Sequence, residues 1–212
     1  MDWILANTGR IAELTLDHAA LSLPAVLAAF LLSVPLAVLA NRLRPLREPI
    51  VSGTGLLYAV PSLPLFIVLP IILGTGIRDP LNAVAALTLF GMALMVRSAA
   101  EALDAVSAEV RLAAAAQGYS SWGRFWTVDL PLAGPAMLAG LRVVSVSTIS
   151  LATVSAVLGV PSLGSLFTDG FQRGIMESVL AGVVMTVVMA LILDLLLVLS
   201  GRLLMPWARR RA

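Results

Sequence analysis

Long charge-poor apolar stretches alternate along this chain with short polar connections that carry arginine. Five such stretches stand out, at about 20–40, 50–74, 81–97, 131–157 and 178–200. A bilayer hydrocarbon core of about 30 Å takes about 20 helical residues to cross, so each stretch has the length of a transmembrane helix. The pattern predicts an all-α membrane protein of about five transmembrane helices, with its termini on opposite sides of the membrane. The connections alternate in charge. Arg42, Arg44 and Arg47 follow the first stretch, Arg97, Arg111 and Arg124 follow the third, and Arg202, Arg209, Arg210 and Arg211 follow the fifth. The remaining connections hold only Arg10, Arg78 and Arg173, beside Asp2, Glu13, Asp17, Asp79, Asp169 and Glu177. Because cytoplasmic loops concentrate arginine and lysine, the N-terminus is expected outside and the C-terminus in the cytoplasm.

Composition narrows the class. Apolar residues make up 59% of the 212 positions and charged residues 12%, more apolar surface than a soluble domain of this size can bury. There is no cysteine and one histidine, which excludes disulfides, thiolate chemistry and an ordinary histidine or cysteine metal cluster. Every basic residue is arginine, so a P-loop lysine cannot exist here, and any ATP used must be hydrolysed by another subunit. The formal charge of +2 and the placement of the arginines beside spans point to topology, with no nucleic-acid partner expected. The N-terminus lacks the basic start of a cleaved signal peptide, so the first span is expected to be retained. Residues 1–19 mix apolar and acidic positions and fit either an amphipathic surface helix or a lead-in to span one. His18 is expected at that outer water interface, exposed and without a role.

Three interruptions inside the spans carry candidate chemistry. In GTGLLYAVPSLPLFIVLPIILGTG, Pro61, Pro64 and Pro70 follow Gly53 and Gly55, so the second span should bend or break near Pro61. Broken helices survive in lipid only where protein or a wet cavity satisfies the freed carbonyls. Tyr58, Pro61 and Ser62 are therefore candidates for lining a translocation path, with helix packing as the alternative. The fourth span carries Ser145, Ser147, Thr148, Ser150, Thr153 and Ser155. Such hydroxyls serve close helix packing and bond to carbonyls of their own helix; alternatively Ser147, Thr148, Ser150 and Thr153 offer weak neutral groups to a passing solute. Asp194 is the one acidic residue well inside a predicted span, and an intramembrane carboxylate normally has a partner. Arg142 enters span four from the same side and is the candidate for a structural ion pair with it.

Residues 98–130 form the one substantial cytoplasmic connection. The alanine-rich run ALDAVSAEVRLAAAAQ favours helix, Gly118 should end it, and a short piece bearing Trp122, Phe125 and Trp126 follows. A narrow alanine face suits a helix that seats in a partner's groove. This loop resembles the one in permeases of binding-protein-dependent ABC importers. Their pattern is EAA, three residues, Gly, nine residues, an aliphatic residue, one more, then LP; here Ala113, Ala114, Gly118, Val128, Leu130 and Pro131 stand at that spacing. Leu112 stands where the family usually has glutamate. The resemblance implies the ABC type I importer permease fold, a single transmembrane permease domain over 1–212 and a coupling helix that docks in an ATPase. Leu112, Ala113, Ala114, Gly118, Tyr119 and Trp122 are then ATPase-coupling positions.

Two further segments, YAVPSLPLF at 58–66 and ATVSAVLGVPSLGSLFTDGF at 152–171, resemble permeases of the osmoprotectant branch, which import glycine betaine, carnitine, choline or proline betaine. That resemblance makes Gly159 to Gly164 an outer re-entrant or gating segment. It implies as partners ABC ATPase subunits holding ATP and Mg²⁺, a second permease subunit, identical or similar, an extracytoplasmic substrate-binding protein, and membrane lipid; no cofactor is expected on this chain. The localisation expected is the inner (plasma) membrane. The alternatives are an ABC permease for an amino acid such as methionine and a secondary transporter that works without ATP.

Overall fold

The computed structural model describes residues 2–211; Met1, Ala212 and the side chains of Arg209, Arg210 and Arg211, which entered the charge pattern of the tail, lie outside the description. The described residues are helical and loop, without strands. In chain order the helices are α1 (Asp2–Ala6), α2 (Thr8–Arg42), α3 (Arg44–Leu56), α4 (Ser62–Leu73), α5 (Pro80–Asp104), α6 (Ala108–Ala116), α7 (Ser121–Arg124), α8 (Leu130–Ala152), α9 (Gly164–Arg173) and α10 (Met176–Leu204). Short 3-10 turns follow α3 at Leu57–Ala59, α8 at Thr153–Leu158 and α10 at Pro206–Arg211, and a π-helical turn, Phe125–Asp129, joins α7 to α8.

Four helical stretches are long and apolar enough to cross a membrane: α2, α5, α10, and α8 with its flanking turns. The fifth predicted span is α3 with α4, which meet at 108° across the break at Val60–Pro61. Core packing settles that this bent pair carries the chain across. One cluster joins Ala37 and Ala40 near the end of α2 to Ala99 and Leu103 near the end of α5, with Val51 of α3 beside them. A second joins Leu21 and Ala25 to Ala83 and Leu87 near the start of α5, with Phe66 and Leu69 of α4 beside them. Helices α2 and α5 therefore run parallel, α3 lies at one end of them, and α4 lies at the other. Helix α8 runs back, with Ala133 and Met137 in the first cluster and Ala152 in the second. Helix α10 returns, so that Gly201 faces Leu138 and the chain ends beside the loop connecting α5 to α8. The basic connections share one end of the bundle, and the N-terminus lies at the other.

Local rules account for most boundaries. Asp79 caps α5 through its carboxylate and the Leu81 N–H at 2.9 Å, with Pro80 in the first turn, where its missing N–H costs nothing. Gly74, Gly159 and Gly174 end their helices or turns in the left-handed region that side chains resist.

At the outer end the structure selects one of two open readings and overturns one expectation. Residues 8–19 are the first turns of a 35-residue α2, so the lead-in reading holds over the surface helix. Ile11 and Leu14 are buried with Leu163, Leu166 and Ala181 because the segment after α8 folds over them. The same cover buries His18 completely, against the expectation of an exposed interface residue. A second correction concerns the loop: the run from Ala102 is not one helix, because α5 ends at Asp104 and Ser107 caps a new helix by accepting from the Val110 N–H.

In lipid, helices gain little from apolar burial and adhere by close approach of small residues. Here α2, α5 and α8 meet at Gly91, where an added Cβ would lie 2.7 Å from the Ala29 Cβ and 3.3 Å from Val144. Gly91→Leu should lower the thermal midpoint in detergent, by about 1–3 kcal/mol of overpacking. Gly53→Ala, with open space around it, should leave the midpoint unchanged.

Candidate functional site

The cytoplasmic loop is built as two capped helices and a hinge. Ser107 starts α6, Gly118 closes it at φ +85°, and Ser120 starts α7 by accepting from the Gly123 N–H at 3.1 Å. Leu112 is 69% exposed, Ala113, Gly118 and Tyr119 are exposed and Trp122 is 66% exposed, whereas Ala114 is buried and turned back onto the protein. Five of the six positions marked in the sequence thus lie on the loop surface. The base of the loop is fixed by Phe125, buried in the first cluster and stacked edge-on with Trp126 at 5.2 Å between ring centroids.

Sequence reading missed the polar joint beneath this surface. Asp129, nearly buried, accepts from Arg111 Nε at 2.9 Å and from Arg124 Nε at 3.3 Å. Arg111 also donates through Nη2 to the Leu103 carbonyl at 2.6 Å, at the end of α5. Alongside, Arg47 pairs with Asp104, and Asn41 donates to the Ala100 carbonyl at 2.8 Å. The signal available in the sequence was an acidic residue that follows two arginines of one loop; which arginine reaches it depends on the fold of that loop.

The translocation-path candidates divide. Tyr58, Ser147 and Thr148 line one narrow crevice with Phe90, Gly91, Leu94 and Leu151. Tyr58 is 47% exposed and packs edge-to-face on Phe90, ring centroids 6.0 Å apart. Pro61 is exposed at the break and Ser62 half-buried in the first turn of α4. Ser150 is exposed, and its carbonyl accepts from the Thr153 hydroxyl at 2.7 Å. Ser145 donates to Leu141 and Ser155 to Ala152, both at 2.8 Å, so these hydroxyls are engaged with their own helix.

Arg142 and Asp194 meet in a two-pronged contact between α8 and α10. Nε donates to Oδ1 at 2.6 Å and Nη2 to Oδ2 at 2.8 Å. Arg142 lies about 18 Å along α8 from Leu130 by helical rise, deep in the span.

At the outer end, Gly159 to Gly164 forms a packed segment. Val160, Ser162 and Leu163 are buried, and a side chain at Gly164 would strike the Thr153 carbonyl. His18 ties this segment to two spans. Its Nδ1 accepts from the Leu163 N–H at 3.3 Å, which leaves Nε2–H to donate to the Ile149 carbonyl at 3.0 Å. Arg10 pairs with Asp169 of α9 at the same end. The single-residue cue for His18 was silent, since both partners come from more than a hundred residues away.

Reversing either charge of the Arg142–Asp194 pair should cut the yield of folded protein several-fold, and Arg142→Asp with Asp194→Arg together should restore it; equal loss in the double variant would dismiss the pair. His18→Leu should cost about 1–3 kcal/mol by orphaning a buried N–H and a carbonyl, read as a lower thermal midpoint in detergent.

Residues 29–210 match the family of binding-protein-dependent transport system inner membrane components. Among curated relatives, the osmoprotectant import permease protein OsmW of Salmonella typhimurium is 34% identical over 171 residues, 79% of each chain. The glycine betaine/carnitine/choline transport system permease protein OpuCB of Bacillus subtilis is 25% identical over 77% of this chain and 74% of its own. Among solved structures, the inward-facing MetNI methionine ABC transporter superposes with a TM-score of 0.75 at 18% identity, covering 92% of this chain and 94% of that one. An amino acid ABC transporter crystallised with histidines gives 0.77, also at 18% identity, over 94% and 96%. The fold is thus that of ABC type I importer permeases. With its loop at the basic end of five crossings, this chain belongs to the family of inner membrane permease components of binding-protein-dependent ABC transport systems.

Proposed function

We propose that this chain is the permease subunit of an ATP-driven importer for small quaternary-ammonium osmoprotectants such as glycine betaine, choline or carnitine. The observation that carries the coupling half of this reading is the loop from Leu112 to Pro131. Of its positions, Leu112, Ala113, Gly118, Tyr119 and Trp122 stand outward on a capped helix pair at the basic end of the bundle, where a soluble ATPase has access. The substrate half draws on relatives named for osmoprotectant, glycine betaine, carnitine and choline transport, and on a relative from Helicobacter pylori named for ergothioneine, 36% identical over 54% of this chain. Each of the named compounds bears a trimethylammonium group.

In this reading two permease subunits, alike or similar, enclose the path, and an extracytoplasmic binding protein delivers the solute. Two ATPase subunits hold ATP and Mg²⁺, and their closure reaches the spans through Leu112, Ala113, Gly118, Tyr119 and Trp122. Alternating access then follows from rigid-body rocking about the path. Tyr58 with Ser147 and Thr148 supplies an aromatic face and two hydroxyls along that path, suited to a solute that carries a quaternary cation but needs no counter-charge.

The test is co-purification with the ATPase encoded nearest to this chain, followed by reconstitution with the cognate binding protein. Wild type should retain the ATPase and drive ATP-dependent uptake of radiolabelled glycine betaine or choline. Gly118→Val, which forces a β-branched side chain to φ +85° at a cost of about 1–2 kcal/mol, should weaken the association. Uptake of methionine in place of betaines would move the substrate to amino acids. Solute movement by the chain alone, with no ATPase bound, would sink the whole reading.

A further inference from the structure

A carboxylate placed in the protein under the cytoplasmic loop is costly unless paired, and Asp129 has both oxygens engaged by guanidinium groups from different helices. Arg111 comes from α6, the helix that bears Leu112 and Ala113. Arg124 comes from α7, in the turn that follows Gly118. Asp129 itself is the last residue of the π-helical turn, where the Leu130 N–H reaches back five residues to the Phe125 carbonyl, and α8 begins at the next position. Arg111 in addition grips the Leu103 carbonyl at the end of α5. One carboxylate therefore stands where both loop helices and two spans converge.

We propose that Asp129 is the positioning residue through which movement of the loop is passed to α8. This rests on the reading that the loop receives an ATPase. A purely apolar base, such as the packing of Phe125, resists compression but slides under rotation and tension. Charge-assisted hydrogen bonds to two fixed guanidinium groups resist both, because displacement of either arginine strains a directional bond. The π turn supplies the compliance, since its wide ring can revert to α geometry by shifting one residue, and such turns recur at functional sites of helices. From Asp129 a continuous α8 runs about 34 Å by helical rise. It passes Arg142 and the crevice residues Ser147 and Thr148 and ends at the turn on which Gly164 of the outer segment rests. Asp129 does not face a docking partner; it acts by holding α6 and α7 to the root of the span.

The experiment uses the complete transporter in proteoliposomes, with radiolabelled glycine betaine uptake and ATP hydrolysis measured together. Asp129→Asn keeps the shape and removes the charge, and both arginines retain enough exposure, 32% and 30% of their side chains, to be solvated in the variant. The ATPase should still co-purify and hydrolyse ATP, while solute moved per ATP falls by about tenfold, as expected for losing hydrogen bonds to a charged group. Asp129→Glu should recover much of the ratio, and Arg124→Gln, which removes the longer of the two contacts, should lower it less. An unchanged ratio in Asp129→Asn would overturn the proposal. So would parallel loss of association, hydrolysis and uptake without rescue by Asp129→Glu, because a scaffold role alone produces that. Should Asp129→Asn fail to fold, an unchanged ratio in Arg124→Gln overturns it equally. Failure of the wild-type complex to form strikes the ABC reading instead, which keeps the two questions separate.

Discussion

Helices surrounded by lipid cannot be held together by hiding apolar surface, since the lipid is as apolar as they are, so this bundle depends on how closely its backbones approach. Two close approaches hold its centre: at Gly91, α5 admits Ala29 of α2 and the Val144 side chain of α8, and at Gly140, α8 admits Ser98 of α5. Alanines continue the seam in both directions, with Ala25, Ala29, Ala37 and Ala40 of α2 fully buried against Ala83, Ala86, Ala99 and Ala100 of α5. Helix α5 is in effect the post of the molecule. Everything with a functional reading is hung on it or on α8: Tyr58 leans on Phe90, the loop springs from Asp104, and the Arg111 guanidinium returns to Leu103.

The same apolar surroundings decide where the backbone can be irregular. An unpaired peptide group costs several kcal/mol in hydrocarbon, so breaks persist only where protein covers them or a wet cavity adjoins them. The break at Val60–Pro61 is exposed in this chain, and it is held in place from α4, whose Phe66 and Leu69 are packed on the start of α5. The outer segment from Gly159 to Gly164 is sealed by His18, Ser155 and Ser162, whose polar atoms take up backbone groups that no helix satisfies. Irregular backbone therefore stands at both ends of α8: the outer segment at one, and the π turn with the charged joint at Asp129 at the other. Helix α8 connects the two, and the coupling proposed above would run along it.

Much of this was legible in the sequence, and for identifiable reasons. Span number and sidedness follow from local quantities, namely stretch length against bilayer thickness and the distribution of arginines, neither of which needs a partner residue. The break at Pro61 and the stop at Gly118 were legible because proline and glycine act through their own backbone. The loop pattern from Ala113 to Pro131 carried the family because its spacing is written in consecutive residues. Arg142 and Asp194 were matched across fifty positions only because charges are so scarce inside the spans that each had one candidate partner.

Tertiary structure decided the rest. It turned His18 from an expected interface residue into a fully buried link between Ile149 and Leu163, and it turned Ala114 inward while leaving Ala113 and Leu112 on the surface. It also gathered Tyr58 with Ser147 and Thr148, and Asp129 with Arg111 and Arg124. The reason is common to all of these. Hydropathy, helix stops and charge bias are properties of a segment and its solvent, so the chain by itself determined what crosses, in which direction, and where it breaks. Burial and hydrogen-bond partnership are properties of pairs of segments, and among hydroxyls, alanines and arginines that recur along the chain, only the packing of α2, α5 and α8 selects which ones meet.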